Sequence, residues 1–197
     1  MAQDMRYILA LCASLKRKGI SITVDTCGYA PYDWFEQINP YTDTYLYDLK
    51  MMDAASHKAY TGVDNRLILS NLEKLSAAGA RIILRIPVIP GVNDGETEVD
   101  AAISFCKKST RVRRIDLLPY HPIGSHKAGR LYASPPWLAA KERGGISADL
   151  KQKDLALQNH GERQKQVVFK EPSHEAMNRL REAWLAAGYH EVFVSGE

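Results

Sequence analysis

The sequence predicts an α/β fold built on a parallel sheet, an incomplete (β/α) barrel of the TIM type, and three observations carry that expectation. Short β-branched segments alternate with amphipathic helical stretches over residues 1–127. Glycines stand where the first helices must stop, at Gly19 and Gly79. Each strand segment also delivers a polar or charged residue to the loop that follows it.

Met5, Ile8, Leu9, Cys12 and Leu15 recur at intervals of three and four, and Lys16, Arg17 and Lys18 follow. That spacing predicts a helix with a cationic last turn, favourable against the helix dipole. Strands are predicted over residues 20–24, 44–50, 81–87 and 114–120, with helices over 67–78 and 96–108 between the later ones. Val99, Ala102, Ile103 and Cys106 form the apolar stripe of the second of these helices. Four strands of the same grammar predict right-handed crossovers and a common mouth at the carboxyl ends of the strands.

Beyond His121 the alternation stops. Residues 122–170 read as an irregular insertion, with a weak helical pattern near 148–157. A last helix over 173–187 opens on a Ser173 cap and stops at Gly188, and residues 191–194 offer a short final strand. No internal repeat or linker divides the chain, so a single domain over 1–197 is expected.

With 197 residues, 45% hydrophobic and 25% charged, the chain has the composition of one globular domain. A net charge of +3 makes no case for nucleic acid or an acidic membrane as a partner. The densest basic stretch, residues 106–114, reads as a helix end running into a loop, with a docking surface as the alternative. No apolar run of about 18 residues exists to span a bilayer, and no secretory leader is recognisable, so a cytoplasmic protein is expected. Cys12, Cys27 and Cys106 are too dispersed for a disulfide framework or a zinc site, and His57, His126, His160, His174 and His190 lack metal-ligand spacing. No metal ligand is predicted.

The strand ends carry the candidate chemistry. Asp25 and Thr26, followed by Gly28, suit a cation or an amino acid-like group, or simply cap a turn. Asp48 and Lys50 put two charges on one side of an otherwise apolar strand, which is costly unless they reach a polar pocket or each other. Lys50 is also in place for an imine, as in aldolase-like lyases. Arg85 precedes a segment stiffened by Pro87 and Pro90 and suits a carboxylate or phosphate. Tyr120 and His121 follow an apolar strand where an adenine or ribose fits, or where a histidine serves the structure alone.

Taken in order, Val24-Asp25-Thr26-Cys27-Gly28-Tyr29, Tyr47-Asp48-Leu49-Lys50-Met51-Met52, His57-Lys58-Ala59-Tyr60-Thr61-Gly62-Val63, Arg85-Ile86-Pro87-Val88-Ile89-Pro90-Gly91-Val92-Asn93-Asp94 and Leu117-Leu118-Pro119-Tyr120-His121 resemble the successive motifs of glycyl radical enzyme activating enzymes. These are radical S-adenosylmethionine (SAM) oxidoreductases of the pyruvate formate-lyase activating enzyme type, anaerobic iron–sulfur proteins. The resemblance implies a partial (β/α)6 barrel in which a 4Fe–4S cluster cleaves SAM and the resulting radical takes hydrogen from a glycine of a partner enzyme. It implies that Asp25, Thr26 and Asp48 line a cation or the SAM amino acid site, that Lys50 and Arg85 contact its carboxylate end or the bound peptide, and that His121 contacts the ribose or methionine moiety. A glycyl radical enzyme as protein substrate, and flavodoxin or ferredoxin as reductant, come with the family.

The chain departs from the family pattern in lacking its C-x-x-x-C-x-x-C cluster motif and its Gly-Gly-Glu stretch. The expectation is therefore the last four of six barrel strands, with an exposed edge beside residues 20–24 prone to association. Such a chain carries no cluster and generates no radical alone. A docking module for a glycyl radical enzyme and an aldolase-like lyase using Lys50 are the alternatives.

Overall fold

The computed structural model describes residues 5–121 and 169–195. Five parallel strands form one sheet: β1 (Thr23–Thr26), β2 (Thr44–Asp48), β3 (Ile82–Val88), β4 (Arg114–Pro119) and β5 (Glu191–Val194). The spatial order equals the chain order, β1-β2-β3-β4-β5. That sequential order is the arc of a barrel rather than a doubly wound sheet, whose order reverses at a switch point. The helices are α1 (Met5–Arg17), α2 (Tyr32–Ile38) with a 3-10 turn at Asn39–Tyr41, α3 (Ala54–Thr61), α4 (Arg66–Ala77), α5 (Glu96–Ser109) and α6 (His174–Ala186). The expected final strand is the fifth member of the sheet, paired with β4. The weak helical pattern at 148–157 lies outside the described residues.

Alternation along the strands sorts the side chains. Tyr45, Tyr47, Leu84, Ile115, Leu117 and Val192 are buried, and they form one hydrophobic core with Leu72 and Leu75 of α4, Ala102 and Cys106 of α5 and Leu180 and Trp184 of α6. At roughly 25 cal/mol per Å² of apolar surface, this face dominates the favourable side of folding. The predicted stripe of α1 reaches the core through Met5, Ile8 and Leu9, with Cys12 buried; Lys16 in its last turn pairs with Asp43 at 2.5 Å. Ser173 caps α6 as expected, accepting from the Ala176 N–H at 3.1 Å.

The first strand lies later than the sequence pattern suggests, at 23–26 rather than 20–24, because the ladder to β2 begins at the Thr23–Thr44 pair. The Ile22 carbonyl instead accepts from the N–H groups of Asp43 and Thr44, and Ile20 is exposed. Among the described residues β1 is an edge strand, as the exposed-edge expectation requires. Tyr7 and Leu11 of α1 are exposed as well.

Gly28, just past β1, has φ +74°, and a Cβ there would overlap the Tyr47 phenol. Strain and overlap together predict that Gly28→Ala lowers stability by about 2–4 kcal/mol in urea unfolding. The Cys106 thiol, 1% exposed, is pushed up to about 12 by burial, against an ordinary value of 9.0. The folded chain thus keeps this proton while the unfolded chain loses it, so stability present below pH 9 drains away as pH rises toward 12. In a native thiol titration Cys27 is expected to react ahead of Cys12 and Cys106, which wait for unfolding; equal rates would contradict the packing.

Candidate functional site

The register that buries Tyr47 and Leu84 turns another set of side chains to the opposite face. Asp25, Leu46, Ile83, Arg114 and Glu191 share one row, and Asp48, Arg85, Asp116 and Phe193 the other. In a barrel this face is the lumen. It is rich in charge, and Asp25, Asp48, Arg85, Arg114 and Asp116 are ion-paired.

Arg85 is the centre. Its Nε donates to Asp48 Oδ1 at 2.8 Å, and its two terminal nitrogens donate to Asp25, to Oδ2 at 2.9 Å and Oδ1 at 2.5 Å. The guanidinium is 19% exposed, Asp48 22% and Asp25 62%. Burial by itself would lower the Arg85 pKa, but hydrogen bonds to Asp25 and Asp48 outweigh it and hold it above the ordinary arginine value. The Lys50 ammonium lies 3.5 Å from Asp48 Oδ2. One carboxylate, Asp48, therefore serves two cations through different oxygens.

The loops that carry these groups are held by buried asparagines. Asn71 of α4 donates to the Gly28 and Ala30 carbonyls after β1, at 2.8 Å each. Asn65 donates to the Met51 and Met52 carbonyls after β2. Asn93, after β3, donates to the Lys50 and Pro87 carbonyls and accepts from the Ile89 N–H. Glu98 of α5 accepts from the Met52 N–H. Each amide satisfies loop groups at a buried or partly buried position.

Of the six predicted residues, the structure brings together Asp25, Asp48, Lys50 and Arg85. Thr26 shares a row with Tyr47 and Leu84, on the helix side, where its hydroxyl accepts from the Gly28 N–H at 2.9 Å. His121 follows β4, exposed, with Nε2 at 3.4 Å from Glu171 Oε1, and makes no described contact with the Arg85 cluster. Sequence reasoning missed Asp116, which pairs with Arg85 in register and is held by Arg114 Nε at 2.8 Å. The signal was present, since Arg114 and Asp116 repeat the period-two charge pattern of Asp48 and Lys50. Arg114 also stacks over Phe193, 4.5 Å from the ring centroid. His57 is buried and structural, its Nδ1 donating to the Val63 carbonyl at 2.7 Å.

A separate concavity of about 460 Å³, lined by Lys107, Arg113 and His190 among others, lies at the opposite ends of the strands and holds none of the predicted residues. Among the described residues no three His, Cys, Asp or Glu side chains converge to hold a metal ion, and Cys12 and Cys106 are buried. The thiols therefore do not fit a cluster. Nor, among the described residues, is any helix long and apolar enough to cross a membrane.

Replacing Arg85 leaves Asp48 partly buried without its main cation. Arg85→Met is expected to cost about 1–3 kcal/mol in urea unfolding, below the cost of breaking a fully buried pair because Asp25 is largely solvated. Asp25→Asn should cost under about 1 kcal/mol; the reverse ranking would refute this division of the cluster.

Residues 2–102 match the family model described as the radical SAM superfamily. Over 134 residues the chain is 44% identical to the trans-4-hydroxy-L-proline dehydratase activating enzyme of Clostridioides difficile, covering 67% of this chain and 44% of that one. It is 41% identical over 123 residues to the isethionate sulfite-lyase activating enzyme of Nitratidesulfovibrio vulgaris, covering 61% of this chain and 39% of that one. The chain thus spans about two fifths of the length of these curated relatives. The crystal structure of a domain of pyruvate-formate lyase-activating enzyme from Bacteroides vulgatus superposes with a TM-score of 0.69 at 21% identity, covering 98% of this chain and 91% of that one. It supports the fold.

Proposed function

The chain belongs to the radical SAM superfamily, and on that premise we propose that it is the C-terminal part of a glycyl radical enzyme activase, its lumen face lining the SAM site of the intact enzyme. One observation carries the reading. Asp25, Asp48 and Arg85 leave three successive strands and meet in a single ion-paired cluster on the face opposite the helices, with Lys50 attached.

The amino acid end of SAM carries an ammonium and a carboxylate side by side. The oxygens of Asp25 and Asp48 suit the cationic part, and the Lys50 ammonium, 38% exposed, keeps donors for the carboxylate. Arg85 has both edges of its fork engaged, so its part is to hold the two carboxylates in place, and it meets a ligand carboxylate only by exchanging one of them. Thr26 acts through the backbone of its turn. His121, beyond β4, addresses the ribose or methionine moiety.

Proteins of this superfamily use SAM with a 4Fe–4S cluster, which supplies the reducing electron for its cleavage. The chain's three cysteines, Cys12, Cys27 and Cys106, do not form the family's C-x-x-x-C-x-x-C motif, and the chain alone is proposed to be inactive. In the intact enzyme the protein substrate is a glycyl radical enzyme, and the reductant a flavodoxin or ferredoxin. The names of the relatives, all activating enzymes, support the first of these partners. An imine role for Lys50 requires a lysine stripped of water and of carboxylate neighbours, and Lys50 has both.

Titrating the isotope-labelled chain with SAM and following amide resonances tests the reading. Shifts are expected at Asp25, Asp48, Lys50 and Arg85, with affinity weakened roughly tenfold, ~1.4 kcal/mol, by Asp48→Asn. No shifts at millimolar SAM, or shifts confined to another face, would remove the proposal.

A further inference from the structure

Three consecutive residues at the exit of β2 are tied down by side chains from three other parts of the chain. The Lys50 carbonyl accepts from Asn93 Nδ2 at 2.8 Å, the Met51 and Met52 carbonyls accept from Asn65 Nδ2 at 2.9 and 2.8 Å, and the Met52 N–H donates to Glu98. Asn93 differs from the others in what it joins. Its second Nδ2 hydrogen goes to the Pro87 carbonyl at 2.6 Å, and its Oδ1 accepts from Ile89 N–H at 2.8 Å. Its 6% exposed amide therefore bridges the exits of β2 and β3. Those exits bear Lys50 and, two residues before Pro87, Arg85: the two cations that share Asp48.

We propose that Asn93 is a positioning residue, fixing the spacing of the two strand exits so that Lys50 and Arg85 address the two oxygens of Asp48 at once. The proposal rests on the ligand-lining role given to Lys50 above, but its geometry stands without any ligand. An ammonium on a side chain with four rotatable bonds samples widely unless its backbone is anchored. The pair it forms with Asp48 is partly exposed, so it has little strength to order the loop. The order comes from the buried amide, which cannot leave the Lys50 and Pro87 carbonyls without giving up two hydrogen bonds at a partly buried position.

Competitive acylation of lysines, read by mass spectrometry on the full chain without SAM, separates positioning from general stability. Asp48→Asn and Asn93→Ala are each expected to raise Lys50 labelling about two- to fivefold, the factor that an ion pair of ordinary partly exposed strength confers, with Lys16 and Lys74 unchanged. Asn71→Ala removes an equally buried amide from the β1 exit and should leave Lys50 at the parent rate. Should Asn93→Ala fail to fold, Asn93→Asp keeps the size and the acceptor for Ile89 but loses both donors, and is expected to raise labelling likewise. The proposal is overturned if Lys50 keeps its parent rate in the Asn93 variants or in Asp48→Asn, or if Asn71→Ala raises it equally. Failure of the parent chain to bind SAM would remove the functional reading while leaving this comparison intact.

Discussion

The pairing of Asp48 with Arg85 across β2 and β3 is the contact on which the site depends, and it exists only in one register. The same ladder that sets Asp48 opposite Arg85 sets Tyr47 opposite Leu84 one step earlier, on the helix side. A slip of one residue would press charges against Leu72 and Trp184 and turn the tyrosine to the lumen. Core packing and site assembly are therefore one constraint. The fork of Arg85 then draws in Asp25 from the next strand over, so three strand ends share one guanidinium.

Balance follows from this arrangement. Asp25, Asp48 and Asp116 on the lumen face are answered by Arg85, Arg114 and Lys50, and Glu191 stands opposite Arg114 in the β4–β5 register. The paired groups offset one another's charge, while Asp25 and Lys50 keep 62% and 38% of their side-chain surface exposed. The buried amides of Asn65, Asn71 and Asn93 supply the complementary rigidity. They convert loops, ordinarily the softest part of an α/β fold, into fixed mounts for polar side chains.

The long periodic elements were legible because their burial repeats: the stripes of α1, α4 and α5 and the strands β2 to β5 lie within one or two residues of their sequence patterns, β2 ending at Asp48 rather than Lys50. α2 and α3 were not, since helices of 7 and 8 residues hold too few turns to show a period. Asp25, Asp48, Lys50 and Arg85 were legible because a charge in an apolar strand is expensive unless something receives it. Asp116 obeys the same rule and was overlooked beside the more conspicuous Tyr120 and His121. Nothing in Gly91-Val92-Asn93-Asp94 tells which carbonyls the Asn93 amide meets.

Periodicity and strand-end polarity by themselves determined a parallel α/β arc with charged exits, because hydrophobic alternation is a local property of the chain. Tertiary structure alone decided that Arg85 joins Asp25 to Asp48, that Thr26 turns away, that His121 pairs with Glu171, and that Asn93 locks two loops together. Those outcomes depend on register and on contacts between residues up to 60 positions apart, and no local pattern encodes which distant partner a polar side chain will find.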